Sequence, residues 1–290
     1  MKSWKAISLI VLQSVLYGLG DPISKTAFET VPLFKMLSLR YCIALAVMML
    51  IWAKPIIEGL KKCSWRDWII PVLCMGGAYV SNNVALLYTQ ATSVAFIRSL
   101  PTILAPLLAF IVFRRPYSRK LIVLQVFVVV GLYMLCCGKG GLGNGFGIGE
   151  VFALLAALML AGSLVFGEKS LDKVDPITLS ALQTFASAAM AVIGMLFAGE
   201  VQVQPTTLPV WGIIIYLAVL CTIAGYVLQN IALKSIQSHT VAVVQCLCPV
   251  LTAAFSFVIL GEKLSLFGAV GAITILFCVI LAVRIGDGSF

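Results

Sequence analysis

The segment Tyr79-Val80-Ser81-Asn82-Asn83-Val84-Ala85-Leu86 returns, 147 residues later, as Tyr226-Val227-Leu228-Gln229-Asn230-Ile231-Ala232-Leu233. The same offset pairs Gln90 with Gln237, Val94 with Val241, Ala95 with Ala242, Leu100 with Leu247, Leu104 with Leu251, Phe110 with Phe257 and Ser118 with Ser265. Nearer the start an offset of 144 pairs Gly18 with Gly162, Lys25 with Lys169 and Pro32 with Pro176. A chain whose second half echoes its first is expected to fold as two similar units packed on each other. Both units here consist of long apolar segments. A duplicated chain embedded in lipid places a solute site near the midplane, between its repeats.

Composition makes lipid the solvent. The 290 residues are 61% hydrophobic and 11% charged, against roughly 25% charged and about half apolar in soluble domains. The Met1–Gly20 stretch has the basic start and apolar middle of a signal peptide. It lacks a small-x-small cleavage site and precedes many further apolar segments, so it reads as the first helix. Eight of the nine cysteines lie in apolar segments; Cys63 sits in a basic loop. Cys136-Cys137 and Cys246-x-Cys248 lack metal-ligand spacing, so the cysteines read as small packing residues. The sequence implies no metal and no cofactor.

A membrane span needs roughly 20 apolar residues. About ten such segments are expected: Lys5–Ala27, Leu33–Ala53, Trp68–Tyr88, Ser93–Phe113, Leu121–Cys137, Ile148–Gly167, Ile177–Ala198, Val210–Leu233, Thr240–Leu260 and Leu266–Arg284. All five tryptophans fall at segment ends, where an aromatic belt would sit. Alternate connections collect Lys2, Lys5, Lys54, Lys61, Lys62, Arg66, Arg114, Arg115, Arg119, Lys120, Lys169, Lys173, Lys234 and Arg284 on one side. The other side holds only Lys25, Lys35, Lys139 and Lys263. Basic loops stay cytoplasmic, so both termini are expected inside, in the cytoplasmic (inner) membrane of a bacterial cell. The net charge of +9 then reflects topology and requires no nucleic-acid partner. Each half carries five spans, an odd number. The fold class expected is therefore all-α and polytopic, ten transmembrane helices in two inverted five-helix repeats, residues 1–140 and 141–290.

Gly261-Glu262-Lys263-Leu264 before the last helix, Pro249 in the ninth and Tyr17-Gly18 in the first, together with the two five-helix repeats, carry a family resemblance. The chain resembles the drug/metabolite transporter (DMT) superfamily, and within it the ten-helix EamA-type transporters. The first repeat departs from the pattern, with Arg114-Arg115-Pro116 where the second has Gly-Glu-Lys. The resemblance implies a secondary transporter moving a small-molecule substrate across the bilayer, with amino-acid or related metabolite export favoured. Quaternary amines, nucleobases and vitamins are alternative cargoes of the same fold.

Buried polar groups are costly in lipid, so each such residue is a candidate for function. Asp21, Arg40 and Arg98 fall at similar depths in the outer leaflet, at ~1.5 Å per helical residue, and at least two of them are expected to touch. A surplus cation facing a cavity would suit a carboxylate, held bidentately by arginine. Arg98 is thus the candidate anion anchor. Asp21 is its candidate partner, or the group through which any proton coupling would run. The opposing reading is a structural Asp21–arginine ion pair, with the other arginine reaching to the headgroups. The repeat offset matches Arg98 to Gln245, so the charge belongs to one half only.

Asn82-Asn83 and Gln229-Asn230 occupy matched places just after Tyr79 and Tyr226. With Tyr17 they either line a midplane cavity or act as interhelical hydrogen-bond glue. An aromatic set of Tyr17, Tyr79 and Tyr226 beside Asp21 would suit a quaternary amine instead. Gln13 and Gln183 are read as packing polar groups. Gly138-Lys139-Gly140-Gly141-Leu142-Gly143 formally contains G-x-G-x-x-G, but it follows a membrane helix and so reads as the linker between halves. No catalytic residues are assigned. A lipid-modifying enzyme would need clustered acids or a nucleophile with its base, and the single histidine, His239, supplies neither. Monomer and homodimer fit the sequence equally.

Overall fold

The computed structural model describes residues 3–28, 30–88, 94, 97–114, 119–137, 147–201, 208–260 and 266–287; within its helices the side chains of 21, 25, 119–121, 135–137, 256, 260 and 282–287 are not described. Among the described residues every regular element is helical. The helices are α1 Ser3–Phe28, α2 Leu33–Lys62, α3 Trp65–Tyr88, α4 Pro101–Phe113, α5 Arg119–Cys137, α6 Ile148–Ser170, α7 Pro176–Phe197, α8 Leu208–Leu233, α9 Ser238–Leu260 (in two pieces, Ser238–Gln245 and Leu247–Leu260) and α10 Leu266–Asp287. Seven of them are long and apolar enough to cross a bilayer. The apolar stretches Pro101–Phe113, Ile122–Met134 and Leu266–Leu281 are shorter.

Two expected boundaries shift for physical reasons. The apolar run of α2 ends near Ala53, yet the helix continues to Lys62. Pro55 removes one backbone donor and crowds the preceding turn. The chain absorbs this by leaving helical geometry at Trp52 (φ −124°, ψ 24°) and resuming beyond it. Lys61 and Lys62 close the helix in its last turn, where cations oppose the negative end of its dipole. The fourth segment is interrupted as well. Val94, Ile97 and Arg98 are helical, Ser99 and Leu100 form a turn, and α4 begins at Pro101. The ninth breaks in the same way at Cys246, three residues before Pro249. Short i→i−3 bonds fill both breaks, Leu100 N to Ile97 O and Cys246 N to Val243 O. Ser99 and Cys246 are 147 residues apart, so the interruption recurs at the repeat offset.

α8 carries a π-helical stretch, Leu217–Ala224, between two α-helical pieces. The Thr222 hydroxyl donates to Leu217 O at 3.0 Å, five residues back, as the wider π turn permits. By contrast α1 runs through Pro22 to Phe28 as one helix.

Packing repeats along the chain. α3 lies on α6 as α1 lies on α8, α4 on α6 as α9 lies on α1, and α3 on α7 as α8 lies on α2. The pairs α2–α7, α4–α9 and α5–α10 sit across the division between the halves. Each relation is reproduced when every helix is replaced by the one five places on. Close approach depends on small residues, which let helices pack without a hydrophobic driving force in lipid. A Cβ at Gly18 would lie 2.7 Å from Leu251 Cβ and 3.1 Å from the Thr252 nitrogen, which fixes α1 against α9. The outer faces of α5 and α10 leave Val126, Phe127, Ile273 and Phe277 exposed, as lipid-facing surfaces require. At one end of the bundle Lys173 pairs with Asp67 at 2.7 Å; the carboxylate pushes the Lys173 ammonium pKa up, its hydrogen bond contributing most. Both residues belong to the basic side expected from loop charge.

Candidate functional site

A cavity opens where the interrupted helices face each other. It encloses about 660 Å³ of atom-free space counted out to its open mouth, and α1, α3, α4, α6, α9 and the turn before α4 line it. Arg98, Ser99 and Pro101 line it beside Gln245, Cys246 and Cys248. Pairing Arg98 with Gln245, Ser99 with Cys246 and Pro101 with Cys248 gives three pairs, each 147 residues apart, so the repeat offset brings matched residues together at the cavity. The break in each helix turns this face inward. Irregular backbone in a membrane protein is tolerated only where protein or a cavity surrounds it.

The sequence-derived candidates divide into three groups. Tyr17, Tyr79, Asn82, Arg98 and Gln245 all line the cavity. Behind them, Tyr226 is fully buried, with its ring 5.4 Å from that of Tyr79; Tyr79 in turn meets Tyr17 edge-on at 6.2 Å. Gln229 reaches the wall through its neighbours. The remaining two are directed into helix packing. Asn230 Nδ2 donates to Ser180 Oγ and Gln183 Oε1, both at 2.8 Å, and Asn83 Nδ2 donates to Tyr79 O in its own helix at 2.7 Å. The side chain of Asp21, the Gly138–Gly143 linker, the Gly261–Leu264 motif and the 140/141 boundary all lie outside the described set.

Gln13, read from sequence as a packing group, is the hub of an amide cluster. Its Nε2 donates to Gly225 O at 2.9 Å and to Gln229 Oε1 at 3.1 Å. Gln245 Nε2 donates to Gln13 Oε1 at 3.0 Å and to Gln229 Oε1 at 2.9 Å. The four bonds tie α1, α8 and α9 together at the cavity wall. Both protons of each donating Nε2 are used in a consistent orientation. Gln229 Nε2 is left buried without a partner among the described residues. Gly225 makes the approach possible, since a Cβ there would meet the Tyr17 hydroxyl at 2.5 Å.

The two arginines occupy different settings. Arg98 Nη2 has Cys248 Sγ as one of its partners, at 3.2 Å, so the guanidinium ties the turn before α4 to α9. Arg40 is buried on α2, with Nε donating to Thr222 Oγ1 at 2.8 Å and its guanidinium 5.3 Å from the Tyr41 ring centre. Tyr41 packs in the same apolar cluster as Tyr226, so Arg40 stands behind the tyrosines and not at the cavity. The π turn of α8 presents Thr222 to it. Arg40 and Arg98 thus meet different neighbours, and whether either touches Asp21, as expected from their depth, lies outside the described residues. Among the described residues no group of three His, Cys, Asp or Glu side chains is placed to hold a metal ion.

A helical membrane bundle of two matched halves, its interrupted helices meeting at a polar cavity, has the build of a solute carrier. The EamA-like transporter family profile matches residues 4–137 and again residues 147–284, and the chain belongs to that family. It is thus a multi-pass membrane transporter of the drug/metabolite superfamily type. An uncharacterized transporter of Archaeoglobus fulgidus is 28% identical over 278 residues, covering 91% of this chain and 92% of its own. The uncharacterized transporter YyaM of Bacillus subtilis is 24% identical over 253 residues, covering 84% and 82%. A solved crystal structure superposes with a TM-score of 0.81 at 17% identity, over 97% of this chain and 98% of its own. That likeness is one of fold.

Proposed function

We propose that this transporter moves a small anionic or zwitterionic metabolite, an amino acid or a related compound, across the bacterial cytoplasmic membrane by alternating access. The halves 1–140 and 141–290 rock about the central cavity, and both termini face the cytoplasm. Export is the direction the family resemblance implies. The observation that carries the reading is Arg98 at the wall of a cavity whose other described lining is neutral. A permanently charged guanidinium in that setting favours a ligand carboxylate. The same cation disfavours a quaternary amine, and Tyr17, Tyr79 and Tyr226 support this by packing on one another edge-on and tilted instead of opening as a cage.

Arg98→Gln copies the residue that the second half holds at the matched place. The variant should unfold within about 1 kcal/mol of wild type. Its ligand affinity should fall by roughly ten- to a hundredfold, as loss of a charge-assisted hydrogen bond predicts. Binding is read from thermal shifts across an amino-acid, nucleobase, vitamin and amine library, where a ligand at 100 times its Kd stabilises by about 2.7 kcal/mol. A variant that transports and binds as wild type removes the anchor role.

A further inference from the structure

We infer that the corner between α3, α4 and α6 is the head-group subsite, and that it takes an N–H donor on the carbon next to a carboxylate, the arrangement of an α-amino acid zwitterion. The inference rests on the Arg98 reading above and specifies what lies beside the anion. It comes from comparing two corners of the fold related by the repeat.

In one corner Gln229 of α8 and Gln245 of α9 converge on a third group, the Gln13 carboxamide of α1. That carboxamide offers a donor and an acceptor on one carbon. Gln229 Oε1 takes the donor, and Gln245 Nε2 satisfies the acceptor. The corner is closed by the protein's own side chain. Residues 147 places earlier build the other corner: Asn82 on α3 for Gln229, and Arg98 before α4 for Gln245. The helix corresponding to α1 is α6, which lines the cavity with Ala156 and Leu160. Residues 151–162 contain no amide or hydroxyl in any register. The third polar partner is therefore not supplied by α6.

Asn82 records the difference. It is only 6% exposed, it lines the cavity, and its Oδ1 has no hydrogen-bond partner among the described residues. A buried acceptor left unmade is costly, so such an atom marks a place where a donor belongs. By its counterpart, Asn82 Oδ1 has the role of Gln229 Oε1 and receives an N–H. The Arg98 guanidinium has the role of Gln245 Nε2 and donates to the ligand's oxygen. Arginine in place of glutamine adds a positive charge and a five-donor fork, which selects a carboxylate over an amide oxygen. Gln13 is thus an internal stand-in for the ligand head group, with a neutral amide replacing the anion and its N–H one bond nearer the acceptor oxygen than in an α-amino acid.

The test uses the detergent-purified full chain and three ligand pairs that differ only by the α-ammonium: L-phenylalanine and 3-phenylpropanoate, L-leucine and 4-methylpentanoate, L-alanine and propanoate. Affinities come from thermal-shift titration and calorimetry. Wild type should prefer the amino acid of at least one pair by tenfold or more. Asn82→Ala should remove that preference by weakening the amino acid about tenfold and leaving the deaminated acid unchanged. Arg98→Gln should weaken both members of the pair alike. Asn82→Asp keeps volume and an acceptor oxygen, and should retain or raise the preference; it also guards against misfolding of the alanine variant. An Asn82→Ala protein that keeps the preference, or loses both ligands equally, overturns the subsite while leaving the Arg98 anchor intact. Wild type binding neither member of any pair, or an Arg98→Gln protein that binds both as wild type, overturns the anchor and the subsite together.

Discussion

Replacing Gln13 by methionine isolates the amide cluster, because methionine nearly preserves side-chain volume and leaves no cavity. The change deletes three hydrogen bonds: two donated by Nε2, at 2.9 Å to Gly225 O and 3.1 Å to Gln229 Oε1, and one accepted from Gln245 at 3.0 Å. It spares the 2.9 Å bond from Gln245 to Gln229, so neither glutamine is orphaned. Interhelical hydrogen bonds in membrane proteins average about 0.6 kcal/mol, so the loss should be about 1–2 kcal/mol. For a chain of this size each kcal/mol moves Tm by roughly 2–4 °C. A fall of several degrees in intrinsic tryptophan fluorescence melting, in detergent, is therefore expected. Gln13→Met combined with Gln245→Leu should cost less than the two single losses added, because both act on one network. An unchanged Tm, or full additivity, would mean that the cluster does not tie α1 to α8 and α9.

Arg40→Lys should lower stability by about 1–2 kcal/mol and leave ligand affinity unchanged. Lysine offers neither the Nε donor that reaches Thr222 nor a planar group over Tyr41, and charge alone does not replace that geometry; a shifted Kd would place Arg40 at the cavity after all. In oriented cells an impermeant maleimide should label Cys63 only from the cytoplasm, and a cysteine introduced at Asn144 only from outside. Partial burial, with Asp67 nearby, pushes the Cys63 thiol pKa up, so its labelling should accelerate with rising pH; labelling of both positions from one face would remove the inverted topology.

Much of the architecture was legible because lipid imposes length and apolarity on every span, and loop composition marks their ends. The expected Leu33–Ala53 fell short because hydropathy registers Lys54 and Pro55 as a boundary, whereas the helix accommodates proline by a local kink at Trp52. The π stretch of α8 left no trace in composition. Leu217–Ala224 is uniformly apolar apart from Thr222, and its geometry accompanies a contact from Arg40, 182 residues away. Repeat matching found Arg98, Asn82 and Gln245 because those positions keep a polar group in both halves. It passed over Gln13 for the opposite reason: the corresponding helix carries alanines there, and Gln13's partners Gln229 and Gln245 are more than 200 residues distant in sequence. Asn230 shows that a shared repeat position does not fix a side chain's role. It shares a repeat position with Asn83, yet it bonds Ser180 and Gln183 in the helix packing.

On the proposed reading of alternating access, the amide cluster around Gln13 sets an energetic condition on transport. A cluster worth about 1–2 kcal/mol that holds α1 to α8 and α9, and that the proposed second state lacks, would bias the carrier toward this state by a factor of roughly 5–30. A ligand can reverse such a bias only through its differential affinity for the two states. Binding at Asn82 and Arg98 supplies that difference if the corner around Gln13 must open for the carrier to turn, since the ligand's head group then replaces on one side the amide bonds released on the other. The magnitudes match to order: two charge-assisted contacts, at about 1.5–3 kcal/mol each, exceed the cluster by enough to invert the ratio without trapping the ligand. A stronger lock, such as a second cation at Gln245, would demand more than a small metabolite's head group delivers.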